Sequence, residues 1–421
     1  MNNNLAVYLL GIKAGILSPQ HGEYIFTYLP EYVAQQLPAI SLSLPLQLAP
    51  FAAHQTKPFF SNLLPDAMQR DLLAKNIGTS TGNPYAMLKE VGKDAAGAVM
   101  IVPETEHHTA IFIPPEYQEL THKELTQWCH SLSSDPLLFR HGMRLSLAGA
   151  QSKMAVRYKD GQFYKPLNAY SPSTHIIKPP PPVFPDMVYN EYFCMQLAAL
   201  TKLTVANTHL VNVQDDTPIL LIERYDRHFD QQGNITRIHQ EDFCQALAVL
   251  PENKYQADGG PSLPDCFRLI KEQSNTPTKD IQVFLLWILF NLIIGNNDAH
   301  GKNISLLHRQ EAVFLAPFYD LLSTAVYGDN LSHSFAMKIN TKKQYDRYFT
   351  LNDLLALMQI FELKDNLMRS MIKRYLTLCQ QQAEVLHQRF TAAYGLQKVV
   401  EELVVLINTR IKKLLKNGEK V

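Results

Sequence analysis

The chain has 421 residues, 46% of them hydrophobic and 19% charged, with 39 basic and 39 acidic side chains that cancel to a net charge of zero. That length exceeds what one hydrophobic core fills, so two or three packed subdomains are expected, and the near-average composition excludes a disordered or fibrous chain. Zero net charge excludes a general attraction to nucleic acid or anionic membrane, so any such contact must be local or supplied by a partner.

In chain order, the first 15 residues lack a basic stretch ahead of a long apolar run, and no segment reads as a membrane span, which points to the cytoplasm. Residues 1–135 mix short β-like runs (5–10, 24–28, 40–44, 98–102) with helical spacing over 61–75, and are read as an N-terminal α+β subdomain. Residues 136–275 continue with strands at 154–158, 175–178 and 218–223 and a helix at 188–200, a β-rich lobe with one prominent helix. From 276 to 421 the pattern is helical: an almost unbroken apolar run at 281–294, then 351–363, 364–394 and 398–415. The predicted fold class is therefore α+β, two-lobed, with a β-rich N-terminal part and an all-α C-terminal lobe. The basic residues of 397–421, Arg410 among them, read as a solvated helix face. Five scattered cysteines without C-x-x-C spacing read as reduced structural thiols.

The chemistry concentrates in Gly295-Asn-Asn-Asp-Ala-His-Gly-Lys-Asn303, a polar loop directly after the apolar run, with Asp298 and Asn303 five positions apart. Phosphoryl transfer needs a carboxylate to orient and deprotonate the attacking hydroxyl and an amide oxygen to hold magnesium on the phosphates, and these two residues have that spacing. Taken alone, such a loop is equally an Asx-rich turn after a helix. Tyr319-Asp320 follows the apolar run 312–318 and supplies a second metal carboxylate in the place of a kinase DFG aspartate, without that motif's glycine. Upstream, Arg144-Leu-Ser-Leu-Ala-Gly-Ala-Gln-Ser-Lys153 offers small residues and a lysine to phosphates, though it is neither a Walker A nor a G-x-G-x-x-G sequence. A strand then delivers Lys178, a helix carries Glu191, and 218–222 leads into Glu223-Arg-Tyr-Asp-Arg227 at the position of an interlobe hinge. Small-residue loop, lysine, glutamate, hinge, Asp-x4-Asn and metal aspartate follow one another in kinase order.

Through these motifs, together with Ile40-Ser-Leu-Ser-Leu-Pro-Leu46, Asn62-Leu-Leu-Pro-Asp66, Val91-Gly-Lys-Asp-Ala-Ala-Gly-Ala-Val99 and Gln240-Glu-Asp-Phe-Cys-Gln245, the sequence resembles the HipA family of bacterial toxin kinases over almost its whole length. The resemblance implies a two-lobed protein-kinase-like fold, with 136–275 as the nucleotide-binding lobe and 276–421 as the catalytic lobe, and ATP and Mg2+ as cofactors. ATP would meet Ala148, Gly149, Ala150, Gln151, Ser152, Lys153, Lys178, Glu223, Arg224, Tyr225, His300, Gly301, Lys302, Asn303, Tyr319 and Asp320. It further implies Asp298 as the catalytic proton acceptor, Asn303 and Asp320 as metal ligands, and autophosphorylation at Ser146. The implied partners are a HipB-like helix-turn-helix antitoxin, operator DNA reached indirectly through it, and a protein substrate such as an aminoacyl-tRNA synthetase. Ser152 stands where an acidic residue is common in the family, and Pro179–Pro182 follows Lys178 without a longer insert found in some relatives. A small-molecule kinase and a catalytically silent antitoxin-binding corepressor stay open as alternatives.

Overall fold

The computed structural model describes residues 3–20, 22–106, 114–131, 153–168, 171–214, 216–231, 233–310, 312–339, 349–361 and 365–417. The chain divides into two compact units, one formed by Met1–Val183, Val211–Glu252 and Leu306–Ala312, the other by Phe184–Leu210, Asn253–Ser305 and Val313–Val421.

Two antiparallel sheets make up most of the first unit, beside a small ribbon of Arg227–Phe229 and Ile235–Arg237. In one, the strands run in the order Glu23–Tyr28, Ile12–Gln20, Leu5–Leu9, Val99–Pro103. Edge strand Glu23–Tyr28 alternates buried and half-buried positions, as a strand with one covered face must, whereas central Leu5–Leu9 is buried at every position. Phe26, Tyr28, Phe51, Phe59 and Phe60 dominate the core on one face of this sheet, and Ala6, Tyr8 and Val102 pack on the other. Two expectations fail here. The helix expected over 61–75 is two helices, Ala53–Asn62 and Ala67–Ile77, because Pro65 between them has no amide hydrogen and disfavours helical backbone at the residue before it. The strand expected at 40–44 is a turn closed by a single Ser41–Leu44 bridge. Its alternation arises because Ser41, Leu42 and Ser43 bond to distant polar groups: Ser41 Oγ donates to Glu241 Oε2 (2.5 Å), Leu42 N–H to Glu241 Oε1 (3.1 Å) and Ser43 Oγ to the Gln245 carbonyl (2.8 Å).

The second sheet runs Tyr117–Leu120, Gln162–Pro166, Met154–Lys159, His175–Lys178, Pro218–Glu223, Thr208–Asn212, its first five strands pairing antiparallel. Leu125 and Trp128 of helix His122–Ser131 join Val156, Phe163, Ile177 and Leu221 in its core. A boundary at 135 therefore separates strand Tyr117–Leu120 and helix His122–Ser131 from the rest of this sheet, since Tyr117–Leu120 pairs with Gln162–Pro166.

The second unit is mainly helical: Met187–Leu200, Leu263–Gln273, Pro277–Ile294, Leu351–Ile360, Asp365–Tyr394 and Lys398–Asn417. Ser262 with Asp265 and Thr350 with Asp353 form capping boxes that start two of them. Pro277–Ile294 is long and apolar enough to cross a membrane by composition, yet most of it is packed inside the protein as the central helix. Helix Lys398–Asn417 packs on it, burying Leu403, Ile407, Ile411 and Leu414 at helical spacing. Arg410 departs from the solvated face expected for this segment: it is buried, and its guanidinium donates to the Leu292 carbonyl (2.7 Å), satisfying an orphan acceptor where helix Pro277–Ile294 ends. The 276–421 stretch is not all-α either, because strands Ser305–Arg309 and Ala312–Leu315 interrupt it, turning at Gln310 with φ 55°.

Candidate active site

The helix Pro277–Ile294 ends on Gly295, and the glycine is required twice. Its φ is 74°, and a Cβ there would lie 2.6 Å from the Ala325 Cβ. The Gly295 carbonyl accepts from the Thr324 and Ala325 amides (both 3.0 Å), so the polar loop begins from a point fixed against the segment after Asp320.

Within the loop, two donors pin the Asp298 carbonyl: the His300 amide at 2.9 Å and Asn303 Nδ2 at 3.1 Å. The Asp298 amide donates to Asn296 Oδ1 (3.1 Å), and Asn296 Nδ2 donates to Asn291 Oδ1 (2.8 Å) and the Asp320 carbonyl (3.4 Å). Backbone and amide groups thus fix the peptide that carries Asp298 on both sides. Of its carboxylate, Oδ1 accepts from the Tyr255 hydroxyl (2.7 Å). His300, Gly301, Lys302 and Asn303 are all buried, and the Tyr319 hydroxyl reaches the Lys302 carbonyl and the Ser305 hydroxyl, each at 2.7 Å.

Asp320 holds φ 54°, in the left-handed region that a non-glycine residue enters at a cost of about 1–3 kcal/mol. Its surroundings impose that conformation. Phe318 exchanges both backbone bonds with the 204–206 segment (2.9 Å each), and its ring stacks on buried Trp287 at 5.6 Å. On the far side, Asn190 of helix Met187–Leu200 grips Ser323 twice, donating from Nδ2 to its carbonyl (2.8 Å) and accepting its amide at Oδ1 (2.9 Å).

For a magnesium ion, the donor set is suitable. With its nitrogen committed to the Asp298 carbonyl, the Asn303 amide keeps its oxygen as an acceptor, and Asp320 adds a carboxylate, the hard oxygen ligands this ion takes beside phosphate. Among the described residues no group of three or more His, Cys, Asp or Glu is disposed to hold a metal by itself. An ion here would share its shell with substrate phosphates and water.

Residues 145–383 match the HipA-like C-terminal domain and residues 5–102 the HipA N-terminal domain. The chain belongs to the HipA family. It is 42% identical over 328 residues to a protein of Sinorhizobium fredii named putative kinase Y4mE, covering 77% of each chain. It is 31% identical over 335 residues to the serine/threonine-protein kinase toxin HipA of Shewanella oneidensis, covering 76% of this chain and 75% of that one. The structure of Shewanella oneidensis HipA in complex with HipB and operator DNA superposes with a TM-score of 0.84 at 26% identity over 99% of both chains, so the α+β kinase-like fold read from the sequence is the fold observed.

Of the HipA-type residues in the first unit, Lys178 is buried on strand His175–Lys178, opposite Leu220, and Glu223 closes the adjoining strand opposite His175. Lys153 directly precedes strand Met154–Lys159. Tyr225 bonds through its hydroxyl to Gln240 Oε1. The guanidinium of Arg224 is buried in an ionic network, which leaves only its backbone for the nucleotide contact expected of it: Nε and Nη2 hold both Asp226 oxygens (3.0 and 2.8 Å), Nη1 donates to Ser173 Oγ (2.9 Å) and Nη2 to the Ala95 carbonyl (3.1 Å). Arg227 and Arg237 both reach Asp94 Oδ1 at 3.1 Å, and Asp226 also accepts the Gly97 amide at 2.7 Å. Burial alone would raise both carboxyls; the arginines outweigh it and hold Asp94 and Asp226 below the usual carboxylate range. Two family motifs, 91–99 and 223–227, are thereby joined to each other.

Glu191 is buried on helix Met187–Leu200 and belongs to the second unit, Lys178 to the first. The expected phosphate-loop residues Ala148, Gly149, Ala150, Gln151 and Ser152, and the expected autophosphorylation site Ser146, lie outside the described residues. Sequence reasoning missed Tyr255, Asn296 and Asn190. Asn296 was within reach, as the buried neighbour of Asp298 in a run of amides, but nothing in the local pattern marks Tyr255 or Asn190.

Proposed function

We propose that this chain is an ATP- and Mg2+-dependent serine/threonine protein kinase acting as the toxin of a toxin–antitoxin pair. The observation that carries the reading is the doubly pinned Asp298, whose carbonyl is held by His300 and Asn303 while its carboxylate keeps acceptor capacity for a hydroxyl proton. In this reading Asp298 orients a serine or threonine hydroxyl and takes its proton as the oxygen attacks the γ-phosphorus and ADP leaves. Asn303 and Asp320 hold Mg2+, which when bound draws charge from the phosphates. Lys153 and Lys178 neutralise phosphate oxygens, Ala148–Ser152 wrap them through backbone amides, and the backbone of 223–225 meets the adenine.

The Shewanella oneidensis relative forms a complex with HipB and operator DNA. By analogy, a HipB-like helix-turn-helix antitoxin binds this chain and carries it to DNA, which suits a protein of zero net charge. The target in the cytoplasm is a translation factor such as an aminoacyl-tRNA synthetase. Ser146 is a self-modification site, where a phosphate would place nearly two negative charges beside the loop meant for ATP.

The test is transfer of labelled γ-phosphate from Mg-ATP by the intact protein and by Asp298→Asn, with phosphoserine mapped by mass spectrometry. Label on Ser146 that vanishes in the variant is the expected result. ATP binding without transfer to the chain itself or to a cell extract would replace this reading with a silent antitoxin-binding corepressor, and transfer only to small molecules would replace it with a small-molecule kinase.

A further inference from the structure

The hydroxyl of Tyr255 donates to Asp298 Oδ1 at 2.7 Å. Tyr255 is half-buried on the 251–260 segment, whose shape is unusually determined. Its carbonyl accepts from both Asp258 N–H (3.0 Å) and Gly260 N–H (2.9 Å), and a Cβ on Gly260 would come within 2.2 Å of the Asn253 carbonyl oxygen, so the segment closes on itself only with glycine there. The next residue ties this loop to a third strand of chain: Gln256 N–H donates to the Ala336 carbonyl (3.0 Å), and Gln256 Oε1 accepts from Lys338 N–H (2.7 Å). The same third segment returns to the polar loop, where Ala336 N–H donates to the Asn297 carbonyl at 2.9 Å. The ring of His300 meets the edge of the Tyr255 ring at 5.4 Å, and the Lys254 ammonium lies 5.3 Å from its centroid. Asp298, Tyr255 and the 332–338 segment therefore form a closed circuit of contacts in which the phenol is placed before any substrate arrives.

We infer that Tyr255 is a positioning residue that fixes the rotamer of Asp298, occupying Oδ1 so that Oδ2 is the oxygen presented to the acceptor hydroxyl. This rests on Asp298 being the proton acceptor. A carboxylate on a single-bonded stem rotates about χ2, and on the order of tenfold in rate depends on holding such a group within a fraction of an ångström of the productive geometry. Tyr255 acts through the carboxylate and takes up no proton in the reaction.

The experiment is transfer of labelled γ-phosphate from Mg-ATP to the full-length chain itself and to casein, measured for wild type, Tyr255→Phe, Asp298→Asn and the double variant. Tyr255→Phe keeps the ring and its packing and removes only the hydroxyl. The expected result is a fall in kcat on the order of tenfold with KM for ATP unchanged, and no further loss when Tyr255→Phe is added to Asp298→Asn. A merely structural tyrosine would lower both backgrounds equally, which overturns the inference, as would an unchanged or faster Tyr255→Phe enzyme. If Asp298→Asn itself transfers at the wild-type rate, the base assignment has failed and the role of Tyr255 with it. If Asp298→Asn is dead and Tyr255→Phe is normal, only the Tyr255 inference falls.

Discussion

Two networks of polar groups, the arginine–aspartate cluster of the first unit and the polar loop around Asp298 in the second, finish differently. Around Arg224 and Asp226 each charge faces a protein charge: two carboxylates, three guanidiniums, the Ser173 hydroxyl and a ring of backbone carbonyls and amides. Around Asp298 the bonds run from amide side chains to backbone, and they hold the peptide on which the carboxylate stands. The first arrangement spends its capacity internally and fixes how chain segments meet. The second holds the peptide by its backbone and leaves the half-buried Asp298 carboxylate with acceptor capacity beyond its bond from Tyr255, which is what the proposed chemistry requires.

That contrast can be broken experimentally, and the sharpest blow falls on the open network. Asp298→Asn is isosteric and keeps an acceptor for Tyr255, so we expect loss of phosphoryl transfer by on the order of 10²–10⁴ with an unchanged melting temperature. A parallel fall in melting temperature would place Asp298 with the closed network instead. Asp226→Ala should do the reverse: it strands Arg224 and Arg227 in a buried site and should cost about 3–5 kcal/mol in denaturant unfolding. A variant as stable as wild type would mean that water reaches the guanidiniums.

A smaller effect should appear with pH. Buried His239 donates from Nε2 to the Ile40 carbonyl (3.0 Å), its Nδ1 has no hydrogen-bond partner, and the His308 ring lies 4.9 Å away. Burial first, and the His308 charge second, push its pKa down to about 3. Because the unfolded chain takes up this proton near pH 6.5 and the folded chain does not, stability is full above that value and falls as pH drops from about 6.5 towards 3, by about 2 kcal/mol at pH 5. His239→Gln, which can still donate to Ile40, should lose that much less between pH 7 and pH 5 in pH-dependent denaturant titrations; identical slopes would show that His239 is protonated in the fold. Least consequential is the exposed Lys398–Glu402 pair at 3.4 Å, where Lys398→Ala should change stability by about 0.3 kcal/mol or less.

What could be read from the chain alone divides along the same line. The polar loop was legible because its chemistry is contiguous: Asp298 and Asn303 sit within one turn of chain after a helix whose apolar run announces itself. Strands such as Glu23–Tyr28 and Pro218–Glu223 were legible through alternation or apolar runs. The turn at 40–44 imitated a strand because Ser41 answers Glu241 and Ser43 the Gln245 carbonyl, each about two hundred residues away. Arg410 looked like surface charge in a basic helix until the carbonyl end of another helix, 118 residues earlier, claimed it. Tyr255 gave no signal because a lone tyrosine has no spacing to read, and its partner lies 43 residues further on.

Asn190 carries one more lesson. A side-chain amide carries N–H donors and an acceptor oxygen in one plane, so its two hydrogen bonds with Ser323 imitate a single rung of a β-ladder cast across from a helix, while Nδ2 also donates to the Tyr327 hydroxyl (3.3 Å). Aspartate at that position has the right length and no donor; glutamine has both groups on a stem one methylene too long. The helix and the loop after Asp320 can therefore be rewritten around this side chain in a redesign, but it must itself be kept, as a splice holding two otherwise independent pieces of chain in register.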